Sequence, residues 1–229
     1  IAGPSSLLIA NSADGWHSGL STALWTTITV SLLLLAIIST VIKDFWRLSA
    51  LFIPYMFIFG LFATAWATVK TNTPIELTNT VSGWVALHIM VSLTTYGLVT
   101  LSSVAALAAI FQERALKAKK QTPYLRVLPS LADCDRMVIQ ILTIGEVVLT
   151  IGLLSGIALQ ISEANSLFLL NHKTVLTLTA FIVIGCLLFA NFKFGLRGRK
   201  SARLVLLGYL LLTLGYLGVK FVTDVLLTK

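Results

Sequence analysis

Six long apolar stretches, each bounded by charge, set the class of this chain; they run 20–42, 46–69, 82–112, 137–162, 172–194 and 203–227. A bilayer core of about 30 Å needs ~20 apolar residues of α-helix, and each stretch is long enough. The sequence therefore predicts an all-α fold, a polytopic transmembrane bundle of six transmembrane helices. A soluble enzyme needs a large solvent-facing surface, and this pattern leaves none. Hydrophobic residues make up 57% of the chain and charged residues 11%, against roughly 25% charged in an ordinary soluble domain.

The formal charge of +8 would point a soluble protein toward nucleic acid. Here the basic residues lie between the apolar stretches, so the charge reports topology instead. Residues 43–47 hold Lys43 and Arg47, and residues 113–136 hold Arg114, Lys117, Lys119, Lys120, Arg126 and Arg136. Residues 193–203 hold Lys193, Arg197, Arg199, Lys200 and Arg203. The alternate connections are poor in Lys and Arg: 70–81 has Lys70 and 163–171 has none. The basic connections are predicted to face the cytoplasm of a bacterium. Ile1, the connections 70–81 and 163–171, and Lys229 then face the periplasm, with the chain in the inner membrane. Residues 1–18, with Gly3, Pro4, Asp14 and Gly15, read as a periplasmic segment ahead of one transmembrane domain, 19–229.

The third stretch is the longest. It continues from Ser82 to about Lys120, and its polar last turns should project into the cytoplasm before Pro123 and Pro129 break the chain. Its run Ser102-Ser103-Val104-Ala105-Ala106-Leu107-Ala108-Ala109 permits close helix approach. Gly152 and Gly156 form a small-xxx-small pair in the fourth helix. Cys134 falls in a cytoplasmic connection and Cys186 within the fifth helix, which gives neither a disulfide nor a metal-ligand spacing.

The chemistry resides in a few polar side chains. By this topology His17, His88 and His172 all lie toward the periplasmic side. Neutral imidazole is a good iron ligand, and haem takes one or two axial side chains of this kind. His172 stands where a helix begins and reads equally well as a wet interfacial residue. His17, beside Trp16, reads as an interface anchor. His88 lies within an apolar helix, where a polar side chain is costly and has a partner. Trp84, one turn earlier, either shields a porphyrin or anchors the helix at the interface. Glu146, deep in the fourth helix, is either part of a charge-dependent device or a packing carboxyl, protonated or bonded to hydroxyls of a neighbouring helix. Lys220 and Asp224 have the spacing of a helical ion pair. Motifs of nucleotide binding, serine hydrolysis and zinc hydrolysis are absent, so nothing in the motifs points to an enzyme.

Three segments carry a resemblance to a known family. They are Gly83-Trp84-Val85-Ala86-Leu87-His88 through Gly97, then Leu149 through Gly156, then Gly195-Leu196-Arg197-Gly198-Arg199-Lys200. Together they resemble the cytochrome c assembly protein family, nearest its YpjD- and HemX-like branch, relatives of the haem-handling CcsA and CcmC proteins. The resemblance covers most of the chain. It implies that His88 is a haem-ligand position and that further helices precede Ile1. It also marks departures. The tryptophan-rich external signature of the haem-handling members is missing, residues 162–171 standing in its place. The family's late external histidine is missing after the last helix, and Asn191 stands near the position of the histidine late in the fifth.

Two functional readings follow. In the first, the protein binds or delivers haem at the periplasmic face for c-type cytochrome assembly, with His88 as iron ligand and His172 and Trp84 beside it. In the second, it is a non-catalytic membrane scaffold or accessory subunit that keeps the fold and binds other membrane subunits or assembly components. If haem binds, one ring nitrogen of His88 meets the iron and the other donates to a carbonyl or hydroxyl.

Overall fold

The structure, a computed structural model, describes residues 20–65, 83–119, 123–164, 172–195 and 197–218. Helix α1 spans Leu20–Val41, α2 Ser49–Ala65, α3 Gly83–Ala118 and α4 the short Pro123–Val127. Helix α5 spans Leu131–Ala164, α6 His172–Phe194 and α7 Arg199–Thr213, which runs on into a π-helical turn at Leu214–Gly218. Among the described residues there is no strand. Six segments are long and apolar enough to cross a membrane, one in each of the six stretches. The chain folds as the polytopic helix bundle its sequence predicts. The Lys220–Asp224 pairing and His17 lie outside the described residues.

Helix α3 is the centre of the bundle. From Leu93 to Ala106 it is buried on all sides, with only Thr94 partly open. It packs most extensively on α5, then on α7 and α1. The small residues explain how so many neighbours reach it. Ser102, Ala105, Ala106 and Ala108 are fully buried, because short side chains let helix backbones come close. At Gly97 a Cβ would stand 2.6 Å from Leu34 Cδ1 and 3.7 Å from the Ser31 Cα, so α1 crosses α3 where a larger residue would collide. Gly208 does the same between α7 and α6: a Cβ there would stand 2.8 Å from Ile184 Cγ1.

Along its 36 residues α3 is about 54 Å long at 1.5 Å per residue. That exceeds the hydrocarbon core, and the excess stands at the basic end of the bundle. There the connections are tied down. Arg47 donates from Nε to the Val127 carbonyl (2.7 Å) and from Nη2 to the Arg126 carbonyl (2.8 Å), closing the C-terminus of α4. Gln112 on α3 donates to the carbonyls of Leu125 (2.8 Å) and Pro129 (3.1 Å). Glu113 pairs with Lys117 at 2.5 Å and approaches Arg199 at 3.9 Å.

Some boundaries differ from the sequence expectation. Helix α5 begins at Leu131, ahead of its apolar stretch. The reason is a cap: Ser130 Oγ accepts from the Asp133 backbone N–H (3.3 Å) and donates to the Asp133 carboxylate (2.5 Å), the Ser-x-x-acid start signal. Cys134, expected in a connection, is therefore buried in the first turn of α5, its thiol 3.6 Å from the Pro129 carbonyl. Phe45, at the connection between α1 and α2, is fully buried, whereas its neighbour Trp46 is 60% exposed.

Candidate functional site

Opposite the basic end, α3, α5, α6 and α7 diverge around a cavity of about 480 Å³. That volume falls within the ~300–1,000 Å³ range of small-molecule and cofactor pockets. One wall is a single face of α3: His88, Ser92, Thr95 and Tyr96 all line the cavity. Their spacing of four, seven and eight residues follows the 3.6-residue period and places them one above another. Leu149, Leu153, Leu178 and Leu212 supply apolar walls from α5, α6 and α7. Gln160, near the C-terminal end of α5, and Thr174, near the start of α6, add polar groups to the lining at one rim.

His88 is held against α5. Its Nδ1 lies 2.8 Å from Ser155 Oγ, and Ser155 Oγ lies 2.9 Å from the Gly152 carbonyl. Gly156 makes this approach possible, since a Cβ there would stand 3.1 Å from His88 Cε1. Gly152 faces Val91 in the same way, its hypothetical Cβ 3.4 Å from Val91 Cγ1. The small-xxx-small pair is thus the seat of α3 on α5, and it brings the imidazole into the cavity wall. Among the described residues Nε2 has no hydrogen-bond partner.

The other sequence candidates separate. Trp84 is 50% exposed and does not line the cavity, as an interface anchor would stand. His172 is the first residue of α6, at the same end of the bundle as His88; its side chain lies outside the described residues. Glu146 sits one turn beyond Leu149, away from the rim, where α5 faces Gly185 of α6. A Cβ on Gly185 would be 3.2 Å from Glu146 Oε1. Both carboxyl oxygens are buried and find no hydrogen-bond partner among the described residues. Among the described residues no hydroxyl bonds Glu146, and α6 presents a glycine at that level.

The sequence did not flag the polar chain behind the cavity. Tyr96 OH lies 3.2 Å from Tyr209 OH and 3.3 Å from Thr213 Oγ1, and Tyr55 OH contacts Tyr209 OH. Thr213 donates to the Tyr209 carbonyl at 2.8 Å. Its proton is thereby committed, so Tyr96 donates to Thr213, Tyr209 to Tyr96 and Tyr55 to Tyr209. Three helices, α2, α3 and α7, are joined by hydroxyls whose protons all run in one direction. Tyr96 and Tyr216, whose rings stand 5.7 Å apart, form the cavity side of this cluster.

A pocket of this kind in a membrane bundle can hold an apolar ligand with polar edges, and one imidazole can meet a metal in it. The sequence profile of the cytochrome C assembly proteins matches residues 16–227. The chain belongs to the cytochrome c assembly protein family. A 28.8 kDa protein of Azospirillum brasilense, encoded in a nifR3-like 5' region, is 47% identical over 99% of this chain and 83% of its own length. Inner membrane protein YpjD of Escherichia coli is 29% identical, over 77% of this chain and 65% of that protein. Protein HemX of Brevibacillus brevis is 26% identical, over 79% of this chain and 67% of that protein. No solved structure matches. Within this cytochrome c assembly fold, the cavity beside His88 is where two of the three segments of the resemblance meet. The first carries His88 and the second carries Gly152, Ser155 and Gly156, while the Gly-Leu-Arg-Gly-Arg-Lys segment starts α7 at the far, basic end.

Proposed function

We propose that this protein binds haem within a bacterial inner membrane, at the periplasmic end of the bundle, as a step in the assembly of c-type cytochromes. The observation that carries the reading is the placement of His88. It is an imidazole in the wall of a 480 Å³ cavity, with Nδ1 occupied by a hydroxyl and Nε2 available to iron. The donor set fits haem: a neutral nitrogen ligand, leucine walls for the porphyrin body, and Gln160 and Thr174 at a polar rim. Haem here is cargo. His88 holds the iron, the leucines exclude water, and the rim meets the polar edge. The basic end of the bundle faces the cytoplasm on this reading.

Titrating the detergent-purified protein with haem tests it. Wild type should develop a Soret band that saturates stoichiometrically, His88→Ala should lose it, and His17→Ala should keep it. A wild-type protein that shows no Soret band in excess haem fails the reading.

One observation favours the second reading, a scaffold or accessory subunit for other membrane subunits. Among the described residues, the cavity wall carries one imidazole and no basic side chain to meet the haem carboxylates. A scaffold would keep the bundle intact in the His88→Ala variant and co-purify with its partner regardless of haem.

A further inference from the structure

We infer that Ser155 is a positioning residue that fixes His88 as the tautomer protonated on Nδ1, and so makes Nε2 the ligand nitrogen of the cavity. Counting protons decides the tautomer. A serine hydroxyl has one proton and accepts through its lone pairs. Ser155 Oγ lies 2.9 Å from the Gly152 carbonyl, which has no proton to give, so the hydroxyl donates there. The contact from Oγ to His88 Nδ1, at 2.8 Å, is then a bond in which the ring N–H donates and the oxygen accepts. A neutral imidazole with its proton on Nδ1 has a bare lone pair on Nε2.

The opposite tautomer satisfies less. Ser155 would have to turn its proton from the carbonyl to Nδ1, and the new Nε2–H would have no acceptor among the described residues. Burial sharpens the choice. Ser155 is 5% exposed, so water does not compete for its bonds. Gly156 lets the ring come close: its missing side chain allows Cε1 to rest against α5, where a Cβ would stand 3.1 Å away. The inference rests on the haem reading only for the identity of the metal centre. The tautomer is a property of the protein alone.

The test is nitrogen NMR of the full-length protein in lipid nanodiscs, without haem, with 15N-labelled histidine. The His88 signals are those lost in His88→Gln. Wild type should show a protonated-type shift at Nδ1 and an unprotonated-type shift at Nε2. Ser155→Ala should move His88 to a mixture or to the Nε2–H form, and Ser155→Thr, which keeps the hydroxyl, should restore the wild-type pattern. An Nε2–H tautomer in wild type overturns the inference, as does an unchanged pattern in Ser155→Ala. With haem present, Ser155→Ala should weaken binding about 10-fold or more, the range seen when a ligand histidine loses its outer partner. If no variant binds haem while the tautomer follows Ser155, the haem reading fails and the positioning role stands.

Discussion

His88 and Glu146 are both costly inside an apolar helix, and the bundle treats them differently. His88 is given a hydroxyl, a glycine seat and a cavity. Glu146 is given a glycine-sized gap and no hydrogen bond among the described residues. An ionised, unpaired carboxylate in such a place is very expensive, whereas an uncharged group of the same shape is not. Glu146→Gln keeps the shape and removes the ionisation. We expect unchanged membrane levels and a thermal stability in detergent equal to wild type or up to about 1 kcal/mol higher. Loss of haem capture at normal protein levels would instead assign the carboxyl an acid–base task. Both residues were legible in the sequence, because a polar side chain stands out against an apolar run. Ser155 was not. Serine is ordinary in membrane helices, and its partner is named only by the register of α3 on α5, which no single helix encodes.

At the scale of elements, the six helices were legible because apolar length is itself the signal. Their ends were not, because caps and pins decide them: Ser130 starts α5 early, and Arg47 closes α4 from eighty residues away in the chain. The centrality of α3 was partly legible in its alanine and serine run. The tyrosine chain was not, since its members lie on three separate helices. Tyr209 stands in the middle of that chain, accepting from Tyr55 and donating to Tyr96. Tyr209→Phe breaks both links with little loss of volume; Tyr55 loses its acceptor, while Tyr96 keeps Thr213. The expected cost is about 1–2 kcal/mol, at or above the usual worth of an interhelical hydrogen bond in a membrane protein. Thermal unfolding in nanodiscs checks it. Tyr55→Phe removes only the terminal donor and should cost less. Equal, negligible effects would mean the chain does not hold α2, α3 and α7 together.

For the whole molecule, a direction across the membrane goes with a site at one end. Gln121 lies in the most basic connection and Asn72 in a connection with one lysine. Single cysteines at these positions should label oppositely in intact cells, Asn72→Cys from outside and Gln121→Cys only after permeabilisation. Labelling of Gln121→Cys from outside would invert the bundle and put the cavity on the cytoplasmic side. The most direct test of the central claim is to locate the iron. Anomalous scattering at the iron edge from crystals of the haem-loaded protein should give a single peak in the cavity between α3, α5, α6 and α7, within bonding distance of His88 Nε2. A peak elsewhere in the protein, or none in a fully loaded sample, would contradict it.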